Sequence, residues 1–163
     1  MTRRVYVPST LDGLRAVVLA DGIGPAPFLA HAVTDAVRSE LADAGEEEWE
    51  YAASSAAALS SVGLLGPGDA ARRVVLAVDV PGARAADDED PTLVLVDEVV
   101  PMRRVAAVLA DSTDAETTVA AARDAVRDGS EDADRLLARC LDHELGWWAT
   151  QEISALLQID DQH

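Results

Sequence analysis

Ser130–Leu157, SEDADRLLARCLDHELGWWATQEISALL, decides how this chain is read, because it holds two of the three tryptophans among closely spaced acidic, histidine and amide side chains. The spacing predicts one long helix. Ser130 can cap its start, and Leu137, Leu141, Leu145, Trp148, Glu152 and Leu156 fall on one arc when residues are projected at about 100° apiece. That arc is expected to face a sheet. Cys140, Glu144 and Gln151 flank it, while Leu136, His143 and Trp147 lie further round. The apolar sector is wider than one packing surface needs, so either two layers sandwich the helix or its Trp147 side meets a partner. His143, Trp147 and Leu136 are therefore the interface candidates.

The same projection sets Glu144, Trp148, Gln151 and Glu152 as neighbours one and two turns apart. Together with Tyr6 they form a candidate pocket wall. A carboxylate in such a wall would have a raised pKa and could do acid–base work. The alternative is that Glu144 and Glu152 hold arginines such as Arg72, Arg73 or Arg104 and fix helix against sheet.

Outward from this stretch, the 163 residues predict a single domain, 1–163, with its own apolar core. The arginine pair at 3–4 has no apolar run behind it, so no secretory signal is expected, and no stretch has the apolar length of a membrane span. The protein reads as cytoplasmic. All 13 basic residues are arginine, and the chain contains neither lysine nor asparagine. That excludes Schiff-base chemistry and the lysine of a phosphate-binding P-loop. Cys140 stands alone, which excludes an internal disulfide, and its leucine neighbours predict a buried thiol. A net charge of −17 opposes binding to a phosphate backbone and favours a basic partner or a divalent cation. It also admits mimicry of DNA toward a basic protein.

Taken in order, Arg4-Val5-Tyr6-Val7 alternates as a strand whose ladder Pro8 ends. Ser9 or Thr10 caps a helix over 11–19, and Gly22–Pro27 is a loop. Phe28–Val33 is a second strand, with His31 as a satisfied core or rim side chain. A short helix runs to about residue 42. A longer one follows from Glu46, its three leading acids suited to the positive end of the helix dipole and its small residues to close packing. Arg72–Gly82 is apolar on both faces and reads as a central strand. The acidic loop with Asp87-Asp88-Glu89-Asp90 lacks the spacing of a calcium loop. Thr92–Asp97 is a fourth strand, antiparallel to the third. Pro101 opens a helical turn, 106–111 is a fifth strand, and a helix covers 115–127.

Metal and hydrolase motifs fail on inspection. His143-Glu144 would need a second histidine at position 147, which is tryptophan. Asp79, Asp97 and Asp111 stand near strand ends and could bind magnesium only if those ends met on one edge. No nucleophile elbow is visible. Neither a metal nor a cofactor is expected.

Three strings, RVYVPSTL at 4–11, EWEYAA at 48–53 and DHELGWWATQEI at 142–153, resemble a family of small cytoplasmic actinobacterial proteins, a domain of unknown function. The resemblance extends over essentially the whole chain and implies a lineage and a compartment rather than an activity. The fold class expected is α+β: a two-layer sandwich with a mixed or mainly antiparallel sheet of about five strands and a long C-terminal helix. Two functions compete. One is a non-enzymatic module that binds a protein partner or dimerises through His143, Trp147 and Leu136; the other is a small-molecule-binding protein or enzyme using Tyr6, Glu144, Trp148, Gln151 and Glu152. Neither nucleic acid nor a membrane is an expected partner.

Overall fold

The computed structural model describes residues 2–86 and 89–161, so Asp87 and Asp88 of the expected acidic loop lie outside the described residues. In chain order the elements are β1 (Arg3–Ser9), α1 (Leu11–Ala20), β2 (Gly22–Ile23), β3 (Phe28–His31), α2 (Asp35–Glu40) and α3 (Glu46–Leu64). Then come β4 (Val74–Val80), β5 (Arg84–Ala85), β6 (Leu93–Val96), β7 (Val100–Pro101) and β8 (Val105–Ala110). The chain ends with α4 (Glu116–Arg127), α5 (Ala133–Cys140), β9 (Gly146–Trp148) and α6 (Ile153–Asp161).

The fold is α+β, with an antiparallel sheet of seven strands in the order β5-β6-β3-β1-β4-β8-β9 and a separate two-stranded ribbon of β2 and β7. The sheet is thus two strands wider than expected. Short β5 lies in the stretch read as an acidic loop, and β9 lies inside the stretch read as a helix. The ribbon forms where a loop and a single turn were expected. A Cβ at Gly22 would come within 2.8 Å of the Val100 carbonyl oxygen, so glycine lets the two ribbon strands meet.

β4 is central, as the apolar run Val74–Val78 requires, and pairs with β1 along all seven residues of that strand. β6, however, pairs with β3 and β5 rather than with β4. Side chains alternate across β1: Val5 and Val7 join a core with Leu11 and Leu14 of α1 and Ile153 and Leu156 of α6. Tyr6 joins Val75 and Ala77 beneath Ala53, Ala57 and Ala58 of α3 on the other face. Both faces of the sheet therefore carry helices, one layer more than the sandwich expected. Alanines let α3 lie close to the strands. Its first turn is organised by Glu48, whose carboxylate accepts from the Gly45 N–H at 3.0 Å.

The long C-terminal helix does not form. α5 stops at Cys140, a turn follows, Trp147 pairs with Leu109 and Trp148 with Val108 across β8, and only then does α6 begin. Three physical terms outweigh the helical periodicity. Gly146 weakens any helix through it by about 0.5–1 kcal/mol relative to alanine, and adjacent tryptophans favour a pleated surface. β8 would otherwise present unpaired backbone at the sheet edge. The His143 carbonyl, released from any helical ladder, accepts from Arg73 Nη2 at 2.9 Å.

Candidate functional site

β1 meets β3 at one pair alone, Tyr6 opposite His31. Continuing that register would set Pro8 opposite Leu29, but Pro8 has no N–H to donate. The sheet parts there. Val7, Pro8 and Ser9 form one side of the opening, and Phe28, Leu29 and His31 form the other. α1 contributes Gly13, Ala16, Val17 and Ala20, the ribbon contributes Ile23 and Pro101, and the end of α3 contributes Ser60 and Leu64. The resulting cleft encloses about 1120 Å³. Three large apolar side chains on its walls are more than half open to solvent or close to it: Leu29 at 50%, Leu64 at 54% and Val99 at 62%. Among the described residues, Asp21 is the one charged side chain on the lining.

The polar end of the cleft is a chain of four side chains. Asp90 accepts from the Thr92 hydroxyl at 3.0 Å and from the Thr92 N–H at 3.1 Å. Thr92 Oγ1 lies 2.7 Å from His31 Nδ1, and His31 Nε2 lies 2.9 Å from Ser60 Oγ. A carboxylate only accepts, so the Thr92 proton goes to Asp90 and the Thr92 oxygen must accept the Nδ1 proton of His31. That fixes the imidazole tautomer. His31 Nε2 is left with a lone pair, which accepts the Ser60 hydroxyl proton. Burial pushes the His31 pKa below its ordinary value of 6.5, against the pull of Asp90, and the ring is neutral at pH 7. Neighbouring bonds hold the chain in place: Ala32 N–H donates to Thr92 O at 2.9 Å, and the Thr34 hydroxyl donates to Pro91 O.

A serine whose proton points at a histidine suggests a nucleophile, yet the backbone argues otherwise. In a nucleophile elbow the serine sits at a strand-to-helix turn, where the next N–H is free to stabilise an oxyanion. Ser60 lies about one turn from the end of α3, where the helical ladder still engages the neighbouring N–H groups. The arrangement can orient and accept a hydrogen bond.

The residues singled out from sequence are dispersed. Tyr6 faces α3 and donates to Glu50 Oε2 at 2.6 Å; burial, then that bond, push its phenol pKa up. Trp148 packs on the opposite face of the sheet with the α1–α6 core, so it and Tyr6 wall no common pocket. Glu144 and Gln151 are exposed. Glu152 is exposed too, and its carboxylate accepts from the Ala149 N–H at 2.8 Å, capping the turn before α6 instead of holding an arginine. Nor do the interface candidates form one face. Leu136 packs toward α4 beside Cys140, half-buried His143 meets the Thr118 hydroxyl at 3.1 Å, and Trp147 is 66% exposed. Cys140 is fully buried, and burial raises its thiol pKa.

The three candidate magnesium ligands are likewise apart, each held by a different arginine: Asp79 by Arg4, Asp97 by Arg84 and Asp111 by Arg73. Among the described residues no cluster of three His, Cys, Asp or Glu side chains could hold a metal ion. Among those residues, too, no helix is long and apolar enough to cross a membrane. Sequence reading placed His31 correctly as a satisfied side chain. It missed Ser60, Thr92 and Asp90, which lie 29 to 61 positions from His31 or join it through Thr92, and no local motif links them.

No curated protein and no solved structure matches the chain. Residues 3–157 match the model of a family of unknown function, DUF6912, and the chain belongs to that family.

Proposed function

We propose that this protein binds a small, largely apolar molecule in the cleft between α1, β3 and the end of α3. The observation that carries this reading is the cleft itself, a cavity of about 1120 Å³ walled by apolar side chains and ending at the His31–Ser60 pair. Ligand sites commonly combine such walls with a few converging polar groups. A gap made by parting strands cannot be closed by repacking side chains alone.

The test is titration with Nile red, a neutral apolar dye that brightens on leaving water. Saturable binding at one site is expected, and Ala16→Trp, which adds bulk to an exposed position on the cleft wall, should weaken it at least tenfold. Absence of saturable binding, or binding indifferent to Ala16→Trp, would overturn the reading.

A second reading rests on Trp147, 66% exposed on the short strand that ends the sheet. An open sheet edge offers unpaired backbone, and the charge of −17 suits a basic protein segment. Cross-linking to an arginine-rich peptide that forms a strand, abolished by Trp147→Asp, would support it. A chain that stays monomeric and captures no such peptide would sink it.

A further inference from the structure

Among the described residues lining the cleft, every side-chain proton that could point into it already has an acceptor. Ser60 gives its proton to His31 Nε2, and His31 gives its Nδ1 proton to Thr92. Ser9, the other hydroxyl on the lining, donates to Thr10 O at 3.3 Å. Gly13 makes room for that hydroxyl: a Cβ there would come within 2.5 Å of Ser9 Oγ. Asp21, exposed at the rim, can only accept. The described side-chain polar groups lining the cleft thus offer lone pairs and no free protons.

We propose that the cleft selects a neutral apolar molecule bearing a hydroxyl group, which donates its proton to Ser60 Oγ, and rejects the carboxylate of the same carbon skeleton. This inference rests on the cleft being a binding site. A hydroxyl supplies what the side chains at the polar end lack, a free proton. A carboxylate brings two further acceptors to an end whose side chains have no proton to spare, and its charge would share the cleft with Asp21, with no arginine among the described lining residues to offset it. An ether of the same length can only accept, so it isolates the donor from the charge. Selectivity of this kind comes from leaving a polar group unpaired, which discriminates more sharply than a change of apolar volume.

The experiment displaces Nile red from the intact protein at pH 8 with three probes of one chain length: decan-1-ol, decyl methyl ether and decanoate. Decan-1-ol should compete about tenfold better than the ether, the worth of one buried hydrogen bond, and better still than decanoate. Ser60→Ala should bring alcohol and ether to within about twofold of each other. Decanoate or the ether matching decan-1-ol on the wild-type protein would overturn the proposal, as would a preference for the alcohol that survives Ser60→Ala. The wild-type comparison needs no variant to fold. Failure of Nile red itself to bind would remove the cleft reading, whereas dye binding without discrimination among the probes removes this inference alone.

Discussion

Arg73 closes on Asp111 through two guanidinium nitrogens, Nε to Oδ2 and Nη2 to Oδ1, each at 2.8 Å, with both side chains shut away from solvent. The same carboxylate accepts the Arg73 N–H at 2.8 Å, and the backbone oxygen of Asp111 accepts from Arg72 Nε at 3.0 Å. This pair ties the start of β4 to the end of β8, and through the His143 carbonyl it also holds the turn that leads to β9. Asp111→Ala should cost about 3–5 kcal/mol in urea unfolding, because it leaves a buried guanidinium without its counter-charge. Replacing both partners, with Arg73→Met and Asp111→Leu, should recover much of that loss. A loss below 1 kcal/mol for the single variant would show that solvent reaches the pair.

Ser61 stitches α3 to both central strands. Its hydroxyl donates to Ser9 O at 2.7 Å and accepts from Val74 N at 3.1 Å, where Ser9 and Val74 are the last pair of the β1–β4 ladder. Ser61→Ala should destabilise by about 2–4 kcal/mol, since two buried backbone groups lose their partner at once. Ser54→Ala, at a less buried site on the same helix, serves as control and should change stability by less than about 1 kcal/mol.

His31 makes stability depend on pH in a definite direction. Its folded pKa lies below the ordinary 6.5, so on acidification the unfolded chain takes up the proton first. The neutral-imidazole contribution is complete above about pH 7 and is lost as pH falls through 6.5 toward the lower folded value. Urea unfolding between pH 8 and pH 5 should show this decline, and His31→Gln, which cannot titrate, should flatten it. An unchanged slope in the variant would mean that other groups carry the pH dependence.

Protonation also reverses the Ser60 bond. Once Nε2 carries a proton it must donate to Ser60 Oγ, which frees the hydroxyl proton toward the cleft. The preference for decan-1-ol over decyl methyl ether should therefore shrink in acid, within the range where the fold persists. Competition measured at pH 8 and again below the His31 pKa, located by NMR titration of its ring protons, would check this; a ratio that stays constant across that titration would contradict the direction of the Ser60 bond.

Trp147→Asp should leave stability within about 0.5 kcal/mol, because the ring is largely in water. Trp148→Ala, which removes a ring packed on the α1–α6 core, should cost about 3–5 kcal/mol. Thermal unfolding of the two variants side by side separates the outward face of β9 from its inward one.

Several features were legible because their cause is local. Val74–Val78 is apolar on both faces, and a central strand accommodates that pattern. Pro8, lacking an N–H, was expected to end its strand's ladder; the pairing with β3 stops before it, whereas the pairing with β4 continues through Pro8 to Ser9. Leucines around Cys140 implied a buried thiol, and the acids at the start of α3 implied a helix N-terminus. The stretch at 130–157 was misread because its leucines and tryptophans satisfy a helical period and a helix–strand–helix path equally well over so short a span. Choosing between them required β8, whose open edge the tryptophans cover. The site was less legible still. His31, Ser60, Thr92 and Asp90 come from a strand, a helix and the approach to another strand, and nothing in their spacing joins them.

By itself the sequence determined the α+β class, the central strand, the Thr10 cap of α1 and the chemistry that is excluded, because those follow from each residue's own backbone freedom, apolar surface and charge. Tertiary structure alone decided which strands are neighbours, where the sheet parts to make a cleft, and in which direction the protons at its end point. Those depend on pairings between residues far apart in the chain, where one missing N–H at Pro8 has its effect only once β3 lies beside it.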